Sequence, residues 1–267
     1  MTGAVGPITP TLERFESESR TAETVIVARQ LFADLDTPVS AYLKIRDASP
    51  SFLLESVEGG ERIGRYSFIG AAPRHVLRLK DGIQYVDGLS AGACADPLLP
   101  LRERAGTFGP PVPSLGRFQG GLLGYLSYEA ARYFERLPRA ARDPHRLPDA
   151  AWMEVDTLLV FDHVAHIIHV LSHAHLDESL TTGYRQAIER IDRLVDRLQQ
   201  PLEAERWPQA SVGSVQSNMT RSRYEEMVRS TKSHIVAGDI LQAVISQRLS
   251  TQLDGDPFAI YRRLRRT

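Results

Sequence analysis

Short β-prone runs that meet at tight turns fill the middle of this sequence, and they commit the chain to antiparallel hairpins. Val76–Leu79 and Ile83–Val86 flank Lys80-Asp81-Gly82. Asp-Gly between two apolar runs is the strongest short hairpin signal. Thr157–Phe161 and His166–Leu171 form a second candidate, turning at Asp162–Ala165. Ser51–Val57 is a further apolar run, stopped by Gly59-Gly60, and Tyr66–Ile69 is another. Val39–Ile45 is partly β-branched and aromatic and reads as a strand. Gly120–Leu126 reads as a glycine-punctuated strand whose backbone packs closely against a neighbour.

Helical periodicity stands at either end of these runs. Val27, Leu31 and Leu35 suit a short helix over Val25–Asp34, broken at Asp36-Thr37-Pro38. Glu129–Phe134 looks helical. Over Thr182–Leu198, residues Tyr184, Ile188, Ile191, Val195 and Leu198 form one apolar stripe with charges opposite. Residues 87–118 are rich in Gly, Pro and Ala and read as loop with room for a short helix, and residues 138–149 carry three more prolines and read as another loop. The element mix predicts an α+β fold, antiparallel sheets with outer helices.

Residues 1–21 are polar and read as a loose segment; residues 22–199 carry the first domain; residues 200–219 are polar and patternless, the best linker in the chain. A new unit follows over 220–267. Ser222 and Glu225 have capping-box spacing, Gly238 supplies a helix stop, Ile240–Leu249 reads as a strand, and Asp256-Pro257 caps a last helix. One strand between two helices cannot bury both its faces, so this unit reads as incomplete. Its strand would leave Leu241 and Ile245 exposed, which predicts aggregation of the chain.

Charge and cysteine usage narrow the function classes. Lys and Arg nearly balance Asp and Glu, leaving a net charge of -1, so electrostatics points to neither nucleic acid nor an anionic membrane. Cys94 is the sole cysteine, which excludes an intrachain disulfide and a Cys-based zinc site. The first residues lack a basic start followed by an apolar run, and no apolar stretch reaches the roughly 18 residues of a membrane span. These features predict a cytoplasmic protein. The crowd of His163, His166, His169, His173 and His175 reads as an exposed strand face rather than a metal centre, because convergent ligands and their supporting shell are not evident.

Phe52–Gly70, FLLESVEGGERIGRYSFIG, carries the most chemistry. A Ser hydroxyl, a carboxylate and nearby guanidinium groups at a turn can hold the amino and carboxylate groups of an amino acid. This segment closely resembles the N-terminal signature of the anthranilate synthase component I family. ADLDTPVSAYLKI at Ala33–Ile45, GGLLGYLSYEAARYFERLP at Gly120–Pro138 and DTLLVFDHVAHIIHVL at Asp156–Leu171 agree with it in order and spacing. Met219–Ser250 is similar to the opening of the family's chorismate-binding domain.

The resemblance implies the two-sheet sandwich of the chorismate-utilising enzymes. It also implies a lyase that converts chorismate and ammonia to anthranilate and pyruvate with Mg2+, a glutamine amidotransferase partner (component II) that delivers ammonia, and feedback inhibition by L-tryptophan. It places Ser56, Glu55 and Arg65 in the tryptophan pocket. It places Gln242 on the chorismate-site strand, where water-using relatives carry a Lys base. Ammonia is already a competent nucleophile, so a neutral amide suits amination there. The catalytic His, the metal-binding Glu pair and the segment completing the tryptophan pocket have no match within the 267 residues, so the chain reads as a fragment that is inactive alone, with the Mg2+ ligands outside it. Two alternatives remain at this stage. One is aminodeoxychorismate synthase component I, which shares the ammonia chemistry, and the other is a non-catalytic tryptophan-sensing or docking domain.

Overall fold

The computed structural model describes residues 6–19, 23–47, 50–55, 64–105, 111–112, 115, 118–137, 143, 145–176, 179–202 and 209–266. The chain divides into two compact units, Met1–Leu202 and Glu203–Thr267. In the first, two five-stranded antiparallel sheets carry the architecture. Sheet one orders its strands β1 (Thr24–Phe32), β10 (Ile167–His175), β9 (Thr157–Asp162), β3 (Tyr66–Ala71) and β2 (Ser51–Glu55). Sheet two orders β6 (Leu89–Ala93), β5 (Ile83–Val86), β4 (His75–Lys80), β8 (Ala150–Val155) and β7 (Gly121–Leu126). Only Asp156 separates β8 from β9, so the chain steps from one sheet to the other at that residue.

Alternation along β9 and β10 decides what each face of sheet one meets. Leu159, Phe161, Ile168, Val170 and Ala174 point to one face, against helices α1 (Leu12–Glu18), α2 (Pro38–Ile45) and α4 (Leu180–Gln199). Leu158, Val160 and Leu171 point to the other, where Leu123, Met153 and Val155 of sheet two join them. Fully buried members such as Leu158, Leu159 and Leu171 each contribute about 1.5–3 kcal/mol by leaving water. A third cluster, around Leu77, Leu79 and Trp152, lies under α3 (Leu99–Ala105) and the 3-10 turn Tyr128–Tyr133.

Both hairpins form at the expected turns. Asp81 and Gly82 take positive φ of 51° and 78°, as a two-residue turn matching strand twist requires. β7 also behaves as expected: a Cβ at Gly124 would sit 1.9 Å from the Ala151 carbonyl oxygen, so only glycine lets β7 lie this close to β8.

Several expectations are corrected. Val25–Asp34 is not a helix but most of β1. Its Thr-Val-Ile-Val start is β-branched, and because Val25–Ala28 are buried on both faces the apolar spacing cannot distinguish the two periods. Val39–Ile45 is not a strand but helix α2. Asp36-Thr37-Pro38, read as a break, starts it: the Thr37 hydroxyl accepts from the Ser40 amide at 3.1 Å, Ser40 answers the Thr37 amide at 2.9 Å, and Pro38 fills the first turn. The segment read as loose contains α1, whose Phe15 is fully buried against the helix layer.

In the second unit, α5 (Arg221–Ala237) is capped by the Thr220 hydroxyl, two residues ahead of Ser222, and stops at Gly238 with φ of 81°. α6 (Phe258–Leu264) starts at Pro257, with Asp256 accepting from the Phe258 amide at 2.9 Å. The linker holds two short strands, β11 (Ala210–Val212) and β12 (Gln216–Ser217), paired with β14 (Leu253–Gly255) and β13 (Leu249–Ser250). Such short, solvated strands have no alternation to betray them. Ile240–Leu249 is not a strand: only its last residue enters β13, because a strand exists only where a neighbour pairs its backbone. Leu241 is 96% exposed and Ile245 half-buried.

Candidate functional site

The chemistry-bearing residues of the first unit gather at one end of sheet one. Antiparallel pairing sets Glu55, the last residue of β2, opposite Ser67 of β3, and Tyr66 opposite Asp162 at the end of β9. Arg65 precedes β3 and turns its guanidinium onto Asp162. Its Nε donates to the two carboxylate oxygens at 3.1 and 3.2 Å, and its Nη2 to Oδ2 at 2.7 Å. The same guanidinium lies 5.0 Å over the Tyr66 ring.

Asp162 is the anchor of this corner. It also accepts from the amides of Val164 and Ala165 at 3.1 Å, which fixes the β9–β10 turn. Burial alone would raise its carboxyl, but the Arg65 guanidinium and the two amides outweigh that and hold it below the ordinary carboxylate range. Arg65 in turn is raised by the hydrogen bond to Asp162. Beside them, Ser67 Oγ and His163 Nε2 are 2.8 Å apart, and the His163 ring stacks against Phe161.

The site residues expected from sequence fare differently. Glu55 and Arg65 flank the same end of the β2–β3 pair. Ser56 lies outside the described residues. Gln242 belongs to the second unit and is exposed in the irregular stretch before β13. Sequence reasoning missed Asp162, Ser67 and His163. The signal for Asp162 was the Asp-His-Val-Ala turn itself, since an Asp that begins a turn caps the amides after it.

The histidine crowd is corrected too. His169 and His173 are not on an exposed face; they are 4% and 2% exposed and share the Leu171 face of β10. Burial lowers both below the ordinary histidine value, so each is neutral inside the fold. His173 Nε2 donates to the Gln119 carbonyl at 2.6 Å, while His169 Nδ1 has no partner among the described residues. Among the described residues no group of three His, Cys, Asp or Glu side chains converges as a metal site, so the Mg2+ implied by the resemblance finds no fitting ligand set there.

With this geometry in place, similarity to known proteins settles the family. The sequence profile of the chorismate binding enzymes matches residues 49–267. The chain belongs to the chorismate-binding enzyme family. It is 40% identical over 248 residues to anthranilate synthase component 1 of Pseudomonas aeruginosa, covering 88% of this chain and 50% of that one. It is 39% identical over 277 residues to the protein of the same name from Synechocystis sp., covering 97% and 54%. The crystal structure of anthranilate synthase component I from Streptococcus pneumoniae superposes with a TM-score of 0.65 at 24% identity, covering 88% of this chain and 52% of that one, which establishes the shared fold. The resemblance read from the sequence is thereby borne out, as is the α+β class with antiparallel sheets. The chain spans about half the length of the curated relatives it matches. No described helix is long and apolar enough to cross a membrane.

Proposed function

We propose that this chain is the N-terminal portion of an anthranilate synthase component I, a cytoplasmic lyase of tryptophan biosynthesis that makes anthranilate and pyruvate from chorismate and ammonia. The observation that carries this reading is the similarity of 39–40% to proteins of that name, running through nearly the whole chain. Ammonia arrives from a glutamine amidotransferase partner, and Mg2+ is bound by residues beyond those described. Gln242 supports amination over hydration: a neutral amide cannot serve as the base that activates water.

Within that reading, the β2–β3 end of sheet one is half of a regulatory L-tryptophan pocket, formed by Ser56, Glu55 and Arg65. Arg65 already grips Asp162 through Nε and Nη2, so a ligand carboxylate would meet its remaining Nη1 or compete with Asp162. The 267-residue chain alone is expected to bind tryptophan weakly and to turn over no chorismate.

Product analysis tests the reading. A protein containing this chain and a complete chorismate domain is given chorismate, ammonium and Mg2+. The expected product is anthranilate, detected by its fluorescence and inhibited by L-tryptophan. Aminodeoxychorismate as the product would overturn the assignment, and turnover by the 267-residue chain alone would overturn its inactivity.

A further inference from the structure

Sheet two carries a cavity of about 660 Å³ on the face that Leu123 and Met153 share with sheet one. That volume lies in the range of small-molecule sites. Strand pairing builds its floor in two cross-strand rows. Leu123 of β7, Met153 of β8 and Val76 of β4 stand opposite one another and form an apolar row. Two residues along each strand, about 7 Å away, Tyr125, Ala151, Arg78 and Tyr85 form the second row. Ala151 is the small member of that row. It leaves a gap between Tyr125 and Arg78, whose strands lie two spacings apart, about 10 Å. One aromatic ring fits such a gap.

The cationic side of the cavity is Arg78 and Arg146. Arg146 takes a φ of 47°, the left-handed region that non-glycine residues rarely adopt. Asp143 holds it there: its Oδ1 accepts from the Arg146 amide at 2.9 Å, and its Oδ2 pairs with Lys80 Nζ. Lys80 also reaches Asp149 Oδ1 at 3.3 Å. The two carboxylates thus share one lysine. The Arg78 and Arg146 guanidinium groups make no hydrogen bond or ion pair among the described residues. Residues 48–49, 138–142 and 144, which adjoin the cavity positions in sequence, include no Asp or Glu.

An apolar row, a ring-sized gap beside a phenol and two unpaired guanidinium groups call for a flat apolar body that ends in a planar anion. Aromatic rings stack on Tyr, and Arg grips a carboxylate through paired, charge-assisted hydrogen bonds. We propose that this cavity binds a small aromatic monocarboxylate, with its ring over Ala151 beside Tyr125 and its carboxylate held by Arg78 and Arg146. The cavity lies on sheet two, so the proposal does not rest on the tryptophan reading of the β2–β3 corner.

The test uses the full chain and the ε-methyl NMR signal of Met153, assigned by its loss in Met153→Leu. Met219 and Met227, in the second unit, serve as internal references. Benzoate is titrated at constant ionic strength, with benzamide as the uncharged isostere and acetate as the carboxylate without a ring. A saturable benzoate shift is expected at Met153 alone, absent with benzamide and at least tenfold weaker with acetate. Affinity should fall about tenfold in Arg78→Gln, the loss of one charge-assisted contact. Arg146→Asn should do the same, because Asn accepts the left-handed backbone and only the guanidinium is lost. Ala151→Val keeps both arginines but fills the gap, and should abolish the shift. Equal binding of benzamide, a linear shift shared by Met219 and Met227, or unchanged affinity in either arginine variant would each overturn the proposal. A Met153 signal that moves with protein concentration in the absence of benzoate would assign this face to a second copy of the chain and overturn it as well.

Discussion

Asp162 shows how one side chain can set a turn and hold a guanidinium at the start of a neighbouring strand. Its carboxylate holds the β9–β10 turn through two amides and holds Arg65 through a fork. Asp162→Asn keeps the shape but loses the charge, and should destabilise the first unit by about 1–2 kcal/mol, since Arg65 remains partly solvated. The pH dependence has a definite sign. The folded carboxyl titrates below its unfolded value of about 3.9, so its stabilisation is present above that pH and lost as pH falls through the folded value. Denaturant melts across the acid range should show a shallower loss in Asp162→Asn than in the parent. His169 acts in the other pH window. Burial lowers it, so the unfolded chain takes up the proton first and stability declines as pH drops below about 6.5. His169→Phe, which removes a buried nitrogen that has no partner among the described residues, should flatten that slope and change neutral-pH stability by no more than about 1.5 kcal/mol. An unchanged slope would show that His173 alone carries the effect. None of this burial was visible in the spacing of the histidines, because a two-residue period assigns a face but not what covers it.

The β10–α4 junction is the element on which sheet one depends most. Its strand pairs with both β1 and β9, and its helix covers the Ile168–Ala174 face. The stripe at Ile191, Val195 and Leu198 made α4 legible from sequence, since a long amphipathic period survives any tertiary context. The close approach at Gly183 was not legible. Gly183→Ala places a methyl group against the His175 carbonyl and should lower the melting temperature by several degrees, with α4 lifted from β10. Wild-type stability in that variant would show that the helix yields without loss. β1 and α2, by contrast, were misassigned. The buried first half of β1 carries no alternation, and Thr37-Pro38 marks a helix start as readily as a break.

Across the whole chain, the two units differ in how much they bury. The first has three apolar clusters, while no described residue of the second is buried. Val236, Leu241 and Val244 are 88%, 96% and 84% exposed. Exposed apolar side chains of this kind favour association. The purified chain should therefore scatter light at concentrations where Leu241→Ser/Val244→Ser stays monodisperse. Amides of α5 should exchange with solvent far faster than those of β9 and β10, because they lack tertiary burial. Slow exchange across α5 would mean that the second unit has a core of its own.

The sequence by itself determined the antiparallel hairpins, the long helix α4, the helix stop at Gly238 and the helix start at Asp256-Pro257, and the family to which the chain belongs. These are local or collinear properties: a turn needs two residues, a helix stripe needs its own period, and similarity needs order along the chain. Only the tertiary structure decided that Arg65 grips Asp162, that two histidines are buried, that Thr24–Phe32 is strand, and that Arg74, Asp156, His175 and Arg190 share one cavity. Those contacts join residues as many as 101 positions apart, from Arg74 to His175, and no local preference encodes which distant partner a side chain will meet.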